Sequence, residues 1–113
     1  MVQQSFSEQA DVLQRKACYE ALREDAWLGD AVLSLYARSW ILKNQRKMDG
    51  VSLQRFTSNQ FLCCFGQPTA VEAEIGVIYR ETGLADAFTH IEEKLLPLFL
   101  RQSGLEKRTK ALE

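Results

Sequence analysis

Proline, histidine and cysteine are scarce in this chain, and each scarcity narrows what it can be. Two prolines, Pro68 and Pro97, in 113 residues leave long stretches free of helix breakers. The single histidine, His90 in FTHIEEKLL, reads as a structural or exposed residue rather than a catalytic one. Three cysteines, Cys18, Cys63 and Cys64, are odd in number, and two are sequence neighbours that project differently from a helix. They indicate neither a disulfide framework nor a zinc site, and are expected to be buried free thiols. No segment approaches the ~18 unbroken apolar residues of a membrane span. The opening MVQQSFSEQAD lacks a basic start followed by an apolar run, so no signal peptide is read and a cytoplasmic location is expected.

What is present is the composition of an ordinary globular protein, 46% hydrophobic and 26% charged,. The length suits one domain, expected over residues 1–106, followed by a basic tail over 107–113. The net charge of −1 conceals an uneven distribution. Residues 1–37 carry three Lys/Arg against six Asp/Glu, residues 38–55 five against one, residues 56–106 three against seven, and the tail three against one. Arg38, Lys43, Arg46, Lys47 and Arg55 surround an inter-helix loop, where an acidic polymer could be met, although cations also favour helix C-termini for structural reasons.

No run alternates β-branched residues, and the periodicity is helical throughout. Ser7 can cap a first helix in which Ala10, Leu13, Ala17 and Ala21 share a face. A second runs from about Asp25 to Asn44, with Leu28, Val32, Leu35, Ser39 and Leu42 in one stripe, widened by Trp27, Trp40 and Ile41. Asp49-Gly50 is a turn signal. Ser52 then caps LQRFTSNQFLCCF, which Gly66 stops. Pro68 suits the first turn of TAVEAEIGVIYRETG, ending at Gly83. Pro97 must kink or divide the last helix. An all-α bundle of about five helices is expected.

Within the second helix, Gly29 lets a neighbouring helix approach while Asp30 places a carboxylate at the seam. In the fourth, Glu72 precedes Gly76 by one turn and repeats the combination. Glu74 is roughly 200° around the helix from Glu72 and cannot share its face. Two inward carboxylates on packed helices suit Mg²⁺, which prefers oxygen ligands and keeps several waters, and phosphodiester hydrolysis is the chemistry such a site favours. Each feature taken singly also has a structural reading, as a helix-dipole partner or a packing glycine.

These residues carry a resemblance. WLGDAVLSLYARSWIL resembles the signature helix of ribonuclease III domains, TAVEAEIGVIYRETGLADA resembles the second motif of that family, and Ser58-Asn59 occupies the place of the Ser-Asn pair between them. The matches occur in family order over roughly residues 20–95. The resemblance implies an all-α, homodimeric endonuclease that cleaves double-stranded RNA with Mg²⁺, Mn²⁺ substituting, at one site per subunit. Asp30 and Glu72 match the metal-binding and catalytic acids. Asn59 and Thr69 are candidates for supporting those ligands, and Arg38, Lys43, Arg46, Lys47 and Arg55 for holding RNA phosphates. At three commonly acidic positions stand Arg23, Ala26 and Thr69. The minimal, Mini-III-like subclass without a double-stranded RNA-binding domain similarly has Ala and Thr at two of these, so the chain looks closest to it, although the basic Arg-Gly-Arg-Asn stretch of that subclass is absent. The alternative implied by the same resemblance is a catalytically inactive domain serving as an RNA-binding or ribonucleoprotein component, in which Arg23 forms an ion pair with Asp30 in place of a metal.

Overall fold

The computed structural model describes the backbone of residues 2–104 and the side chains of residues 12–104. Among these residues the chain is entirely helical: α1 (Val2–Gln45), α2 (Gly50–Phe56), α3 (Asn59–Leu62), α4 (Pro68–Thr82), α5 (Leu84–Lys94) and α6 (Leu96–Ser103). The expected all-α class holds. The basic tail from residue 107 lies outside the described residues.

The first two expected helices are one. Ser7 stands inside α1 rather than at its cap, and α1 continues without a break from Val2 to Gln45. The junction Leu22-Arg23-Glu24-Asp25-Ala26 explains it, because it contains neither Gly nor Pro and is rich in residues of good helix propensity. The outer half has no described neighbour: residues 12–21, including Leu13, Ala17 and Ala21, are all exposed, against the expectation of a core-facing stripe.

The inner half of α1 packs against α4 and α5. Its buried face is Ala26, Val32, Leu33, Tyr36, Ala37 and Ile41, which shares only Val32 and Ile41 with the expected stripe. Leu35 and Leu42 are about half exposed and Trp27 is 79% exposed. This helix is apolar on more than one side, so periodicity could not choose the face that is buried. Gly29 chose it, since the face centred on that residue is the one that meets α4.

The expected third helix is two short ones. Asp49, not Ser52, caps α2, its carboxylate accepting from the Ser52 N–H at 3.1 Å. Thr57 and Ser58 then turn their hydroxyls onto the carbonyls of Leu53 and Arg55, competing with the helical backbone as such residues do. Ser58 restarts the chain as cap of α3, accepting from the Phe61 N–H at 3.1 Å. The remaining boundaries follow the expectation: Pro68 stands in the first turn of α4, Gly83 closes it with φ 104°, and Pro97 separates α5 from α6.

Phe56, Leu33, Leu62, Ile75, Ile91 and Leu95 are the largest fully buried side chains. Phe56 stands at the centre of an aromatic cluster, with ring centroids 4.5 Å from Phe99, 5.6 Å from Phe61 and 6.1 Å from Tyr36. Burial of each such side chain contributes about 1.5–3 kcal/mol. The cysteine expectation fails: Cys18, Cys63 and Cys64 are all exposed free thiols. Cys18 lies on the uncovered half of α1, and Cys63 and Cys64 follow the last turn of α3, beyond the buried Phe61-Leu62 pair.

Candidate metal centre

Helices α1 and α4 touch through their backbones. A Cβ added to Gly29 would overlap the carbonyl oxygen of Glu72, and one added to Gly76 would overlap the carbonyl oxygen of Asp25. The contact is reciprocal because each helix places a glycine four residues after an acidic residue, Asp25-Gly29 on α1 and Glu72-Gly76 on α4. Only a residue without a side chain permits this approach. Arg80 braces the same crossing, its Nη1 3.1 Å from Asp25 Oδ1.

The crossing brings Asp30 and Glu72 together. Asp30 follows Gly29 on the exposed side of α1, while Glu72 is half-buried on α4. The Glu72 carboxyl is pushed up to about 7, first by burial, then by donating a hydrogen bond to the Asp30 carboxylate, and then by that neighbour's negative charge,. At neutral pH the pair therefore shares a proton or repels. A cation between them would relieve either state.

Both carboxylates open into a cleft of about 730 Å³. Its floor comes from Thr57 after α2, Asn59 at the start of α3, and Thr69 and Glu72 in the first turns of α4. Its wall is the emerging half of α1, with Ala26 and Asp30 nearest the body and Tyr19, Glu20, Arg23, Glu24 and Trp27 further out. All four residues singled out for metal and ligand support, Asp30, Glu72, Asn59 and Thr69, thus line one cleft. The Thr57-Ser58 break is what sets Asn59 there, and Gln67, capping α4 through the Ala70 N–H at 2.8 Å, orients the turn that presents Thr69.

Other expectations for the site are not met. Arg38, Lys43, Arg46, Lys47 and Arg55 do not line the cleft. Arg38 and Lys43 lie about 12 and 20 Å further along α1 from Asp30 at the helical rise, and Arg55 borders a separate cavity of about 480 Å³ beside Ser58 and Gln102. Their spread along the chain hid this, because charge clustered in sequence around a loop points in several directions from a helix. Among the described residues Arg23 is the cleft's only cation, and it makes no ion pair with Asp30; the one ion pair among them, Arg80–Asp25, lies outside the cleft. Glu20 and Glu24, not singled out from the sequence, line the cleft as well. Glu20-Arg23-Glu24 within about three turns of Asp30 was the available signal, but it assumes a continuous α1.

Two carboxylates that face each other across a seam fit a hydrated, oxygen-preferring divalent ion, with Asp30 and Glu72 as its protein ligands. Among the described residues no group of three or more His, Cys, Asp or Glu side chains could hold a metal. Two such donors would leave most of a divalent ion's positions to water, whereas a structural zinc takes four protein ligands. The arrangement defines a class, an α-helical domain with a paired-carboxylate cleft at a glycine crossing. No family model, no curated protein and no solved structure matches the chain. No helix among the described residues is long and apolar enough to cross a membrane.

Proposed function

We propose that the chain is a ribonuclease III-like, Mg²⁺-dependent endoribonuclease that hydrolyses phosphodiester bonds of double-stranded RNA as a homodimer. The observation that carries this reading is the convergence of Asp30 and Glu72 across the Gly29–Gly76 crossing, with Asn59 and Thr69 on the same cleft. Mg²⁺, or Mn²⁺ in its place, would be held by Asp30 and Glu72 and would supply positive charge to the phosphate and a more acidic water.

The residues of the chain do the rest. Asp30, on the exposed side of α1, would hold the ion from the open side of the cleft, where a phosphate can approach. Glu72, half-buried, would hold it from the inner side. Asn59 and Thr69, on the same cleft, would offer an amide and a hydroxyl to support those ligands. In the reaction a water oxygen bonds to phosphorus, one bridging P–O bond breaks, and the leaving oxygen takes up a proton that the water gives up. Substrate recognition is by A-form shape, because the deep major groove of duplex RNA hides its base edges. Exposed Val12 and Leu13 on α1, further out than the cleft, are the apolar surface a second subunit would cover.

The inactive RNA-binding alternative drew its support from an Arg23–Asp30 ion pair, which is absent among the described contacts. The test is cleavage of a labelled RNA duplex with Mg²⁺, against EDTA and Asp30→Asn. Product that disappears in both controls is expected. Intact duplex that is still shifted in a gel by the wild type would replace the enzyme reading with the binding one.

A further inference from the structure

Four carboxylates and one cation line the cleft: Glu20, Glu24, Asp30 and Glu72 against Arg23. Arg23 lies seven residues before Asp30 on α1. That is two turns, so the two side chains share a face about 10 Å apart along the axis. The Arg23 guanidinium carbon stands 6.0 Å from the centre of the Tyr19 ring, one turn further out, within the range at which a ring face holds a cation. Although Glu20 and Glu24 are close in sequence, neither forms an ion pair with Arg23 among the described residues. Arg23 lines the cleft and has no ion-pair partner among the described residues, and its planar fork of N–H donors matches the oxygens of a phosphate.

Glu20 and Glu24 are exposed, where water and salt screen them, so the charge a phosphate must meet close at hand is that of Asp30 and Glu72. One divalent ion would offset Asp30 and Glu72 and leave the phosphate's own charge to be met. Where two metal ions share that task they clamp both sides of the reacting phosphate, but here the donors suffice for one ion.

We propose that Arg23, steadied on Tyr19, holds the non-bridging oxygens of a duplex RNA phosphate in this cleft and supplies the positive charge that a second metal ion would otherwise bring. This rests on the endoribonuclease reading. It assigns a catalytic role to a residue that stands where the resembling family commonly has a glutamate.

The experiment measures cleavage of a labelled RNA duplex in Mg²⁺ by the wild type, Arg23→Ala, Arg23→Lys and Arg15→Ala, which removes a charge two turns further out on α1 and outside the cleft. Duplex affinity is measured against salt in an Asp30→Asn background, with and without Arg23→Ala. Arg23→Ala is expected to lower kcat about 100-fold, the scale of one lost donor at a reacting centre. Arg23→Lys, with the charge but not the fork, should recover part of this, and Arg15→Ala should match the wild type. The slope of log affinity against log salt should fall by about 0.7–0.9, one phosphate contact. Thermal midpoints should be unchanged, which separates this role from a structural one.

Arg23→Ala with wild-type kcat and an unchanged salt slope overturns the proposal while leaving the endoribonuclease reading intact. A gain in activity also overturns it, since Arg23 would then be competing with the ion. If the wild type binds but does not cut, the enzyme reading fails and the salt slope alone decides whether Arg23 holds a phosphate. If the wild type neither binds nor cuts, both fall.

Discussion

Glu72→Gln should make the metal-free protein more stable at pH 8 while removing its response to Mg²⁺. In the folded chain the Glu72 carboxyl is raised from 4.5 to about 7, chiefly by burial and then by Asp30. The rise of about 2.5 pH units corresponds to an upper bound of about 3.4 kcal/mol at about 1.36 kcal/mol per unit. Because Glu72 is only half-buried, solvent screening reduces this to about 1–2 kcal/mol. The folded state holds its proton more tightly than the unfolded chain. The stability from this group is therefore fully present below about pH 4.5 and is lost as pH rises through about 7. Glutamine keeps the shape and a donor toward Asp30 but carries no charge, so the variant should lose less stability between pH 5 and 8 than the wild type does. At about 4 °C per kcal/mol for a chain of this length, its melting temperature in EDTA at pH 8 should exceed that of the wild type by about 4–8 °C. Added Mg²⁺ at ten times its dissociation constant should stabilise the wild type by about 1.4 kcal/mol and the variant by far less. Calorimetry of both proteins at pH 5 and 8, with EDTA and with Mg²⁺, measures all four quantities. A Glu72→Gln protein that melts below the wild type at pH 8, or that gains as much from Mg²⁺, would refute the facing-carboxylate account.

Gly29→Ala should destabilise by about 3 kcal/mol or more in urea denaturation, because the new Cβ meets the backbone carbonyl of Glu72 and only the whole helix can yield; the ~1 kcal/mol gain in helix propensity should not rescue it. Ser58→Ala removes the cap of α3 and should cost about 1 kcal/mol, together with a loss of cleavage rate as Asn59 loses its position; an unchanged rate would mean that Asn59 plays no part. Arg80→Ala, cutting a partly exposed pair with Asp25, should cost at most about 1 kcal/mol, and less at high salt. A larger loss, or one insensitive to salt, would show that Arg80 does more than brace the crossing.

The chain itself determined the helical class, the end of α4 at Gly83 and the division at Pro97, because these depend on local propensity and on residues that forbid continuation; the Asp49-Gly50 signal marked the start of α2, with the break just before it. The pairing of Asp30 with Glu72 was also legible, since a glycine beside a carboxylate on each of two helices marks where backbones meet. What sequence could not settle was which side of α1 is buried. Leu35, Leu42 and Trp27 are as apolar as Leu33, Tyr36 and Ile41, and only the depth to which α4 approaches Gly29 separates them. The same holds for charge. Arg23 and Lys43 are alike in one dimension, yet the unbroken course of α1 past the end of α4 puts the first beside the carboxylates and the second two helical turns beyond Tyr36. Local chemistry names the groups; the contact of two glycines decides which of them share a cleft.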